Sequence, residues 1–396
     1  MSTDEREQVE AQLQALFAAH PPADTPEPEF WGAQFDHGLA WVQFPEGVGG
    51  LGVSPRWQAE VNRRIEAAGG SIRNRYLNIL GIGMGAGTLL AHGTEEQQRR
   101  FLRPMFTTEE IWCQLFSEPG AGSDLAALST TAVREGDTWI VNGQKVWNTL
   151  AHLAKWGLLV TRTDPDVPKH AGLTYFVVDM EAEGVDVRPL YQITGEAEFN
   201  EVYFDDVHIP DSMRIGAVGE GWTVAMTTLM NERVAIGGNV APRGSGAIAH
   251  AVEAWKRTDG SDPVARDQLL GYWIEAEALR LTAIRAGEAA RRGTPGPEGS
   301  TAKLHWADLN KAITSFAIDL MGPEGVTYPG GYEFVRPELT ATRTEDPHKA
   351  FLRARANSIE GGTSEIMKNI LGERVLGLPG EPRVDKNVAW RDVPRS

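Results

Sequence analysis

The chain has 396 residues, long enough for two or three folding units around a large core, since a chain of this size buries about three quarters of its unfolded surface. Asp plus Glu number 54 against 38 Lys plus Arg, a formal charge of −16, which excludes a globally basic nucleic-acid surface and leaves any anionic ligand to find a local pocket. A single cysteine, Cys113, excludes an internal disulfide and a multi-cysteine metal site, and it fits a reducing cytoplasm.

The start, MSTDEREQVEAQL, is acidic and lacks the basic start and apolar core of an export signal, so secretion is not expected. Up to about residue 110 the apolar period is helical: an amphipathic opening, a Pro-rich break at 20–28, a loop at 45–52, a helix over 55–68 and a glycine-rich segment. That segment, 76–94, is uncharged and approaches membrane-spanning length. It also contains Asn78, His92, Gly81, Gly83, Gly85, Gly87 and Gly93, so it reads as a buried helix of close-packed small residues, without membrane insertion. Gly47-Val48-Gly49-Gly50-Leu51-Gly52 matches G-x-G-x-x-G, but its neighbourhood is helical, and a structural turn is expected rather than a dinucleotide site.

From residue 111 the pattern changes to short runs rich in β-branched and aromatic residues, at 112–116, 130–134, 138–141, 156–161, 174–180, 185–190 and 201–204. With no helical pattern between them, these runs predict an antiparallel barrel or sandwich rather than β-α-β units. After Gly221 the 3.6-residue period returns over 222–250, 264–292, 300–321 and 347–376, the last interrupted at Gly361-Gly362. In the second of these helices Leu269, Leu270, Trp273, Ile274, Leu281 and Ile284 fall on one broad apolar face, as a bundle requires. The expected fold class is α+β multidomain: an N-terminal α-helical domain over 1–110, a middle antiparallel β-barrel or sandwich domain over 111–220, and a C-terminal four-helix bundle over 221–396.

No P-loop, H-E-x-x-H or G-x-S-x-G is present and the histidines are scattered, so no metal site is expected and phosphoryl transfer and serine hydrolysis lose their usual warrants. The stretch Ser117-Glu118-Pro119-Gly120-Ala121-Gly122-Ser123-Asp124 can present backbone N–H groups and hydroxyls to an anion, although an ordinary polar turn has the same composition. In Asn142-Gly143-Gln144-Lys145-Val146-Trp147-Asn148-Thr149 an indole stands two residues from a hydroxyl. That suits a flat heterocycle, and a core Trp beside a surface Thr reads the same way. Asn357-Ser358-Ile359-Glu360-Gly361-Gly362-Thr363-Ser364-Glu365-Ile366 breaks a helix with two glycines and restarts it on a Thr or Ser cap. Asn231-Glu232-Arg233 sets a carboxylate beside an arginine on an apolar helix, as a buried structural ion pair would also do. Cys113, beside Trp112, is expected in the core.

Together with Ala91-His92-Gly93-Thr94-Glu95-Glu96 and Phe204-Asp205-Asp206-Val207-His208-Ile209-Pro210, these segments resemble, in order and along nearly the whole chain, the acyl-CoA dehydrogenase family of flavoproteins. The resemblance implies FAD with its ring against Leu115 to Ser117 and Trp147 to Thr149, Thr149 near flavin N5, and Gly122 and Ser123 in the loop by the pyrophosphate. Thr363 and Glu365 would touch the cofactor from the C-terminal helices. The acyl-CoA would lie between the middle domain and the helix of Glu232, against Ser123, Asn231 and Arg233. One family feature is missing: the Arg-x-x-Phe-Gly segment that holds FAD phosphates across a subunit interface, where 255–263 reads WKRTDGSDP.

Removing a proton α to a thioester while a hydride leaves the β carbon needs a carboxylate beside Cα and donors on the carbonyl oxygen. The resemblance gives two places for that base. Glu232, directly before an arginine on the long helix, is the first choice. Glu360 is the second, because the place immediately before the Gly-Thr pair is here Gly361, whose N–H would polarise the thioester. The implied function is FAD-dependent formation of the 2,3-enoyl-CoA, with electrons passed to an electron-transfer flavoprotein by a cytoplasmic homodimer or homotetramer. Alternatives are a non-catalytic FAD-binding partner in a mixed oligomer, and an oxygen-using oxidase or monooxygenase. Because CoA is polyanionic, a local basic entrance near Arg233 is expected on this acidic chain.

Overall fold

The computed structural model describes residues 3–237, 242–291, 298–328, 334–336, 346–382 and 385–393. The side chains at 3, 232–237, 290–291 and 298–299 lie outside that description. Six helices open the chain: α1 (Thr3–Ala19), α2 (Glu27–Asp36), α3 (Gln58–Ala67), α4 (Asn74–Leu77), α5 (Ala86–His92) and α6 (Glu95–Phe106). A capping box starts α6: Thr94 Oγ1 accepts from Gln97 N at 3.2 Å, and Gln97 Oε1 accepts from Thr94 N at 2.8 Å, satisfying donors that a helix start leaves open. The Gln97 amide also donates to Ser212 O and Arg214 O at 2.8 and 2.9 Å, tying α6 to the end of the β region.

The centre of the glycine-rich segment, 81–89, is largely buried, Tyr76 at its start is exposed, and the segment is not one helix. It passes from α4 through a π-helical turn at Gly81–Gly85 into α5. Its small residues admit close neighbours: a Cβ on Gly87 would lie 2.6 Å from Asn231 Nδ2. Among the described residues no helix is long and apolar enough to cross a membrane. The G-x-G-x-x-G stretch is a turn with positive φ at Gly47, Gly49 and Gly52, folded onto Phe35 and Phe44. The buried Asn78 joins the helices to the sheet, donating to Met105 O and Glu110 O at 2.8 and 3.0 Å and accepting from Trp112 N at 2.9 Å.

Eight strands follow: β1 (Trp112–Leu115), β2 (Thr131–Glu135), β3 (Thr138–Lys145), β4 (Trp156–Arg162), β5 (Leu173–Asp179), β6 (Val185–Leu190), β7 (Phe199–Pro210) and β8 (Arg214–Ile215). They form one sheet in the order β6-β7-β3-β2-β4-β5-β8, with β1 added beside β4. The antiparallel expectation holds for most pairs. It fails where β1 runs parallel to β4 and where Thr131 of β2 meets Arg162 of β4 in parallel; the β2–β3 hairpin supplies the crossover that a parallel β1–β4 pair needs. Every residue of β4 is buried, and side-chain alternation divides its faces. Trp156, Leu158 and Val160 join Tyr175 and Val177 in the core shared with the N-terminal helices. Leu159, Phe176 and Val178 face a second core with Cys113, Leu115 and Val141. Cys113 is wholly buried, and burial pushes its thiol pKa up, away from any nucleophilic role.

The four C-terminal periods resolve differently from their sequence pattern. The stretch 222–250 is not one helix but α7 (Gly221–Gly237) and α8 (Ala247–Lys256), with 238–241 outside the described residues. Then come α9 (Pro263–Arg291) and α10 (Glu298–Leu320), and 347–376 divides into α11 (Pro347–Ala354), a 3-10 turn, α12 (Ser364–Ile370) and a π turn. The expected C-terminal helical region is present; among the described residues its four periods appear as six helical segments, and the positive-φ Gly361 and Gly362 break the last period. Ile248, Leu269, Leu309, Ile313 and Phe316 form their core. The expected apolar face of α9 is only partly covered: Leu269 is buried, whereas Leu270, Ile274 and Leu281 are exposed on the single chain. Helix α7 stands apart from that core and packs on α5 and β5, where Thr88 Oγ1 and Tyr175 OH lie 2.9 and 3.1 Å from Thr228 Oγ1. All three regions meet at that hydroxyl cluster.

Gly50 is the tightest glycine of the N-terminal turn, since a Cβ there would lie 2.0 Å from Phe44 O. Gly50→Ala should lower stability by roughly 1–3 kcal/mol, read as an earlier midpoint in urea unfolding followed by tryptophan fluorescence.

Candidate functional site

Lys145, the last residue of β3, occupies an inward position of the sheet and has no exposed side-chain surface. Its ammonium donates to Phe116 O at 3.1 Å and Glu118 Oε1 at 2.8 Å. The Glu118 carboxylate also accepts from Ser129 N at 2.6 Å, Ser129 Oγ at 2.9 Å and Thr130 N at 2.9 Å. Burial alone would raise the Glu118 carboxyl, but the Lys145 charge and these hydrogen bonds outweigh it and lower the pKa to about 2. Anchored this way, the loop after β1 closes on itself through Glu118 N to Ala121 O and Ala121 N to Glu118 O, at 3.1 and 3.0 Å. Gly120, Gly122 and Ser123 are left exposed at its tip. Lys169 then bridges Asp124 and Asp385, so the segment 385–393 lies against this loop's far end.

The second predicted loop sits beside the first, with Val146 N donating to Ser117 O at 2.8 Å. Trp147 and Leu150 have φ of +62° and +60°, a left-handed conformation that costs a non-glycine residue about 1–3 kcal/mol and concentrates at functional sites. Asn148 holds the strained turn: its Nδ2 donates to Gln114 O at 2.8 Å, and its backbone exchanges N–H···O bonds with Asn200 at 3.0 and 3.1 Å. Asn148 Oδ1 is buried with no partner among the described residues. The Trp147 ring is 57 % exposed and meets Phe199 edge-on at 5.7 Å, so it is not the core tryptophan its composition would equally allow. Thr149 is half-buried beside it, as is Ser117, whereas the Leu115 side chain is wholly buried in the sheet core.

The third loop carries Gly361 and Gly362 at φ +60° and +92°, a turn that only glycine adopts freely. Thr363 caps α12 by accepting from Ile366 N at 3.2 Å, and Glu365 is exposed, 4.0 Å from Lys368. Lys303 reaches from α10 to Asn357 O and Gly362 O. Both Glu360 oxygens are engaged, Oε1 by Asn357 Nδ2 and Oε2 by Arg353 Nη2, each at 2.8 Å. Of the α7 candidates, Asn231 donates to Met84 O at 3.4 Å and packs against the N-terminal helices. The side chains of Glu232 and Arg233 lie outside the described residues.

The structure therefore brings the loops of Ser117 and Trp147 together directly, and joins Glu360 to them through residues that the sequence pattern does not single out: Arg353, Glu198 and Phe199. Neither Lys145 nor Arg353 left a signal in the sequence: the predicted strand ends at 141, and only the structure extends β3 to an inward-facing Lys145 whose charge needs a buried partner. A cleft of about 650 Å³ lined by Ile111, Ala151, His152, Lys155, Met180 and Arg336 contains none of the predicted residues. Among the described residues no cluster could hold a metal ion.

Three family models match the chain: "Acyl-CoA dehydrogenase, N-terminal domain" at 3–109, "middle domain" at 113–207 and "C-terminal domain" at 219–376. The acyl-CoA dehydrogenase IpdE1 of Mycobacterium tuberculosis is 39 % identical over 352 residues, covering 87 % of this chain and 86 % of the relative. IpdE1 of Mycolicibacterium smegmatis is 37 % identical over 355 residues, with the same coverage. The solved ChsE4-ChsE5 complex of M. tuberculosis superposes with a TM-score of 0.68 at 25 % identity, over 96 % of this chain and 99 % of that one.

With its folded pKa lowered, Glu118 contributes stability that is full above the unfolded value near 4.3 and is lost as pH falls toward about 2. Glu118→Gln should flatten the acid limb of stability between those values, measured as urea midpoint against pH. Lys145→Met, which strands the carboxylate, should cost about 3–5 kcal/mol at pH 7.

Proposed function

The chain belongs to the acyl-CoA dehydrogenase family of oxidoreductases, and from that premise we propose that it removes hydrogen from Cα and Cβ of an acyl-CoA thioester to give the 2,3-enoyl-CoA. The observation that carries this reading is the Trp147–Leu150 turn, where two non-glycine residues in left-handed conformation hold a large indole open to solvent. Non-glycine residues held this way cluster at ligand-binding and catalytic sites. The residues present fit FAD: an exposed flat ring, the buried Asn148 Oδ1 with no donor among the described residues, and a loop tip of glycines with Ser123 able to meet phosphate. We assign it to Ser117, Gly122, Ser123, Trp147 and Thr149, with Thr363 and Glu365 from the C-terminal side; Leu115, wholly buried in the sheet core, supports this face from behind rather than touching the ring. When bound, FAD supplies the acceptor for the hydride leaving Cβ.

The chain's own residues do the rest. We assign Glu232 as the base that takes the α proton. Support comes from the rival carboxylate, since Glu360 is held at both oxygens by Arg353 and Asn357 and serves as an ion-pair partner. The Gly361 N–H, which finds no acceptor among the described residues, donates to the thioester oxygen and stabilises charge as the proton leaves. Ser123 and Arg233 meet the CoA moiety, and Asn231 contributes by fixing α7 against Met84. We place the enzyme in the cytoplasm, with an electron-transfer flavoprotein as acceptor, and as a homodimer or homotetramer whose contact uses the exposed Leu270, Ile274 and Leu281 of α9.

A second reading has its own support. ChsE4-ChsE5 is a complex of two different chains, and this sequence lacks the Arg-x-x-Phe-Gly segment, so a mixed oligomer would supply the missing phosphate grip from a partner. Flavin absorbance near one equivalent in the chain purified alone favours the homo-oligomer; colourless protein favours the mixed one.

Anaerobic mixing with a panel of straight-chain, branched and steroid-derived acyl-CoA thioesters should bleach the flavin with at least one of them. Glu232→Gln should abolish bleaching while FAD stays bound, whereas unchanged bleaching would transfer the role to Glu360. Stoichiometric hydrogen peroxide in aerobic turnover would replace the dehydrogenase reading with that of an oxidase.

A further inference from the structure

Glu196, Glu198 and Asn200 alternate along the segment that leads into β7, so they present one face. Three cations from later in the chain engage that face: Lys349 pairs with Glu196, Arg353 with Glu198, and Arg336 donates to Asn200 Oδ1. Of the three, Arg353 also reaches the Gly361 loop. Its Nε is 3.2 Å from Glu198 Oε1 and its Nη2 is 2.8 Å from Glu360 Oε2, one residue before Gly361.

The same guanidinium lies 5.6 Å from the Phe199 ring, and Phe199 meets Trp147 edge-on at 5.7 Å. Glu198 also contributes its backbone, with Leu150 N donating to Glu198 O at 3.4 Å. One planar group therefore touches, directly or through a single residue, both loops of the site: the strained Trp147–Leu150 turn and the glycine turn at Gly361-Gly362. These loops lie about two hundred residues apart in the chain and share no strand or helix, so nothing in the secondary structure sets their spacing.

We propose that Arg353 is a positioning residue for the dehydrogenation, setting the Gly361 N–H at a defined distance from the Trp147–Thr149 face. The inference rests on the reading that these two loops face one ligand. An arginine suits the task because its fork bonds two carboxylates in one plane while its face lies on a ring; lysine keeps the charge and loses the fork. A misplaced oxyanion donor slows chemistry more than it weakens binding.

The test compares the FAD-loaded wild type with Arg353→Ala and Arg353→Lys, and with Lys349→Ala, which removes a neighbouring ion pair that does not reach the Gly361 loop. Hydrogen–deuterium exchange should accelerate in Arg353→Ala at both 145–150 and 357–363 while β4 remains protected, and Lys349→Ala should leave 357–363 unchanged. In anaerobic stopped flow, the limiting rate of flavin reduction should fall about tenfold or more in Arg353→Ala with the acyl-CoA Kd changed less than about threefold, and Arg353→Lys should recover part of the rate. Unchanged exchange at 145–150, or a limiting rate within about twofold of wild type, overturns the proposal. If Arg353→Ala does not fold, Arg353→Lys carries the same two readouts. A wild type that no acyl-CoA reduces would defeat the functional reading instead, and the exchange measurement would still decide whether Arg353 couples the two loops.

Discussion

The Lys145 ammonium has no route to water, so the fold around it must supply its acceptors. A buried unpaired charge is intolerable in a low-dielectric interior, and Phe116 O and Glu118 meet that demand. Their placement has consequences well beyond the pair. Glu118 can face Lys145 only if the chain after β1 turns back, which exposes Gly120, Gly122 and Ser123 at the tip. Its remaining acceptor capacity draws in Ser129 and Thr130, so the start of β2 is set by the same carboxylate. Directly after Lys145 the backbone must leave the sheet, and Asn148 and Asn200 hold it in the left-handed turn that presents Trp147.

Around this centre, the three regions are joined by buried polar groups. Asn78 satisfies the end of α6 and the start of β1 with one amide. Thr88, Tyr175 and Thr228 bring α5, β5 and α7 into one buried hydroxyl cluster. Such contacts cost stability when half satisfied and confer a unique arrangement when complete. Helix α7 thus takes its orientation from both the N-terminal helices and the sheet, whereas the Gly361 loop is held by Lys303 of α10 and, through Glu360 and Arg353, by the segment before β7.

Local pattern made much of the architecture legible. The switch from helical period to short β-rich runs near 111 and back after 221 matches the last helix ending at Phe106, the first strand at Trp112 and α7 starting at Gly221. The G-x-G-x-x-G stretch read as a turn for the right reason, the absence of a strand before it. Period misled where glycines intervene: 222–250 joined α7 and α8, and the broad face of α9 leaves Leu270, Ile274 and Leu281 on the surface. An apolar stripe shows that a helix must be covered but not by which chain. The parallel β1–β4 pair was invisible for a related reason, because strand direction depends on the crossover between them.

By itself the sequence determined the class of fold, the order of its parts and the three loops that carry polar and aromatic residues unsuited to a core. Those are local properties, written in the spacing of neighbours along the chain. Only the tertiary structure decided what holds the loops in register. Lys145 meets Glu118 across 27 residues and Arg353 meets Glu198 across 155, and no periodicity specifies which of many charges will pair at such distances. Burial makes that choice, because each charge taken out of water must find its counter-charge wherever packing brings one within reach.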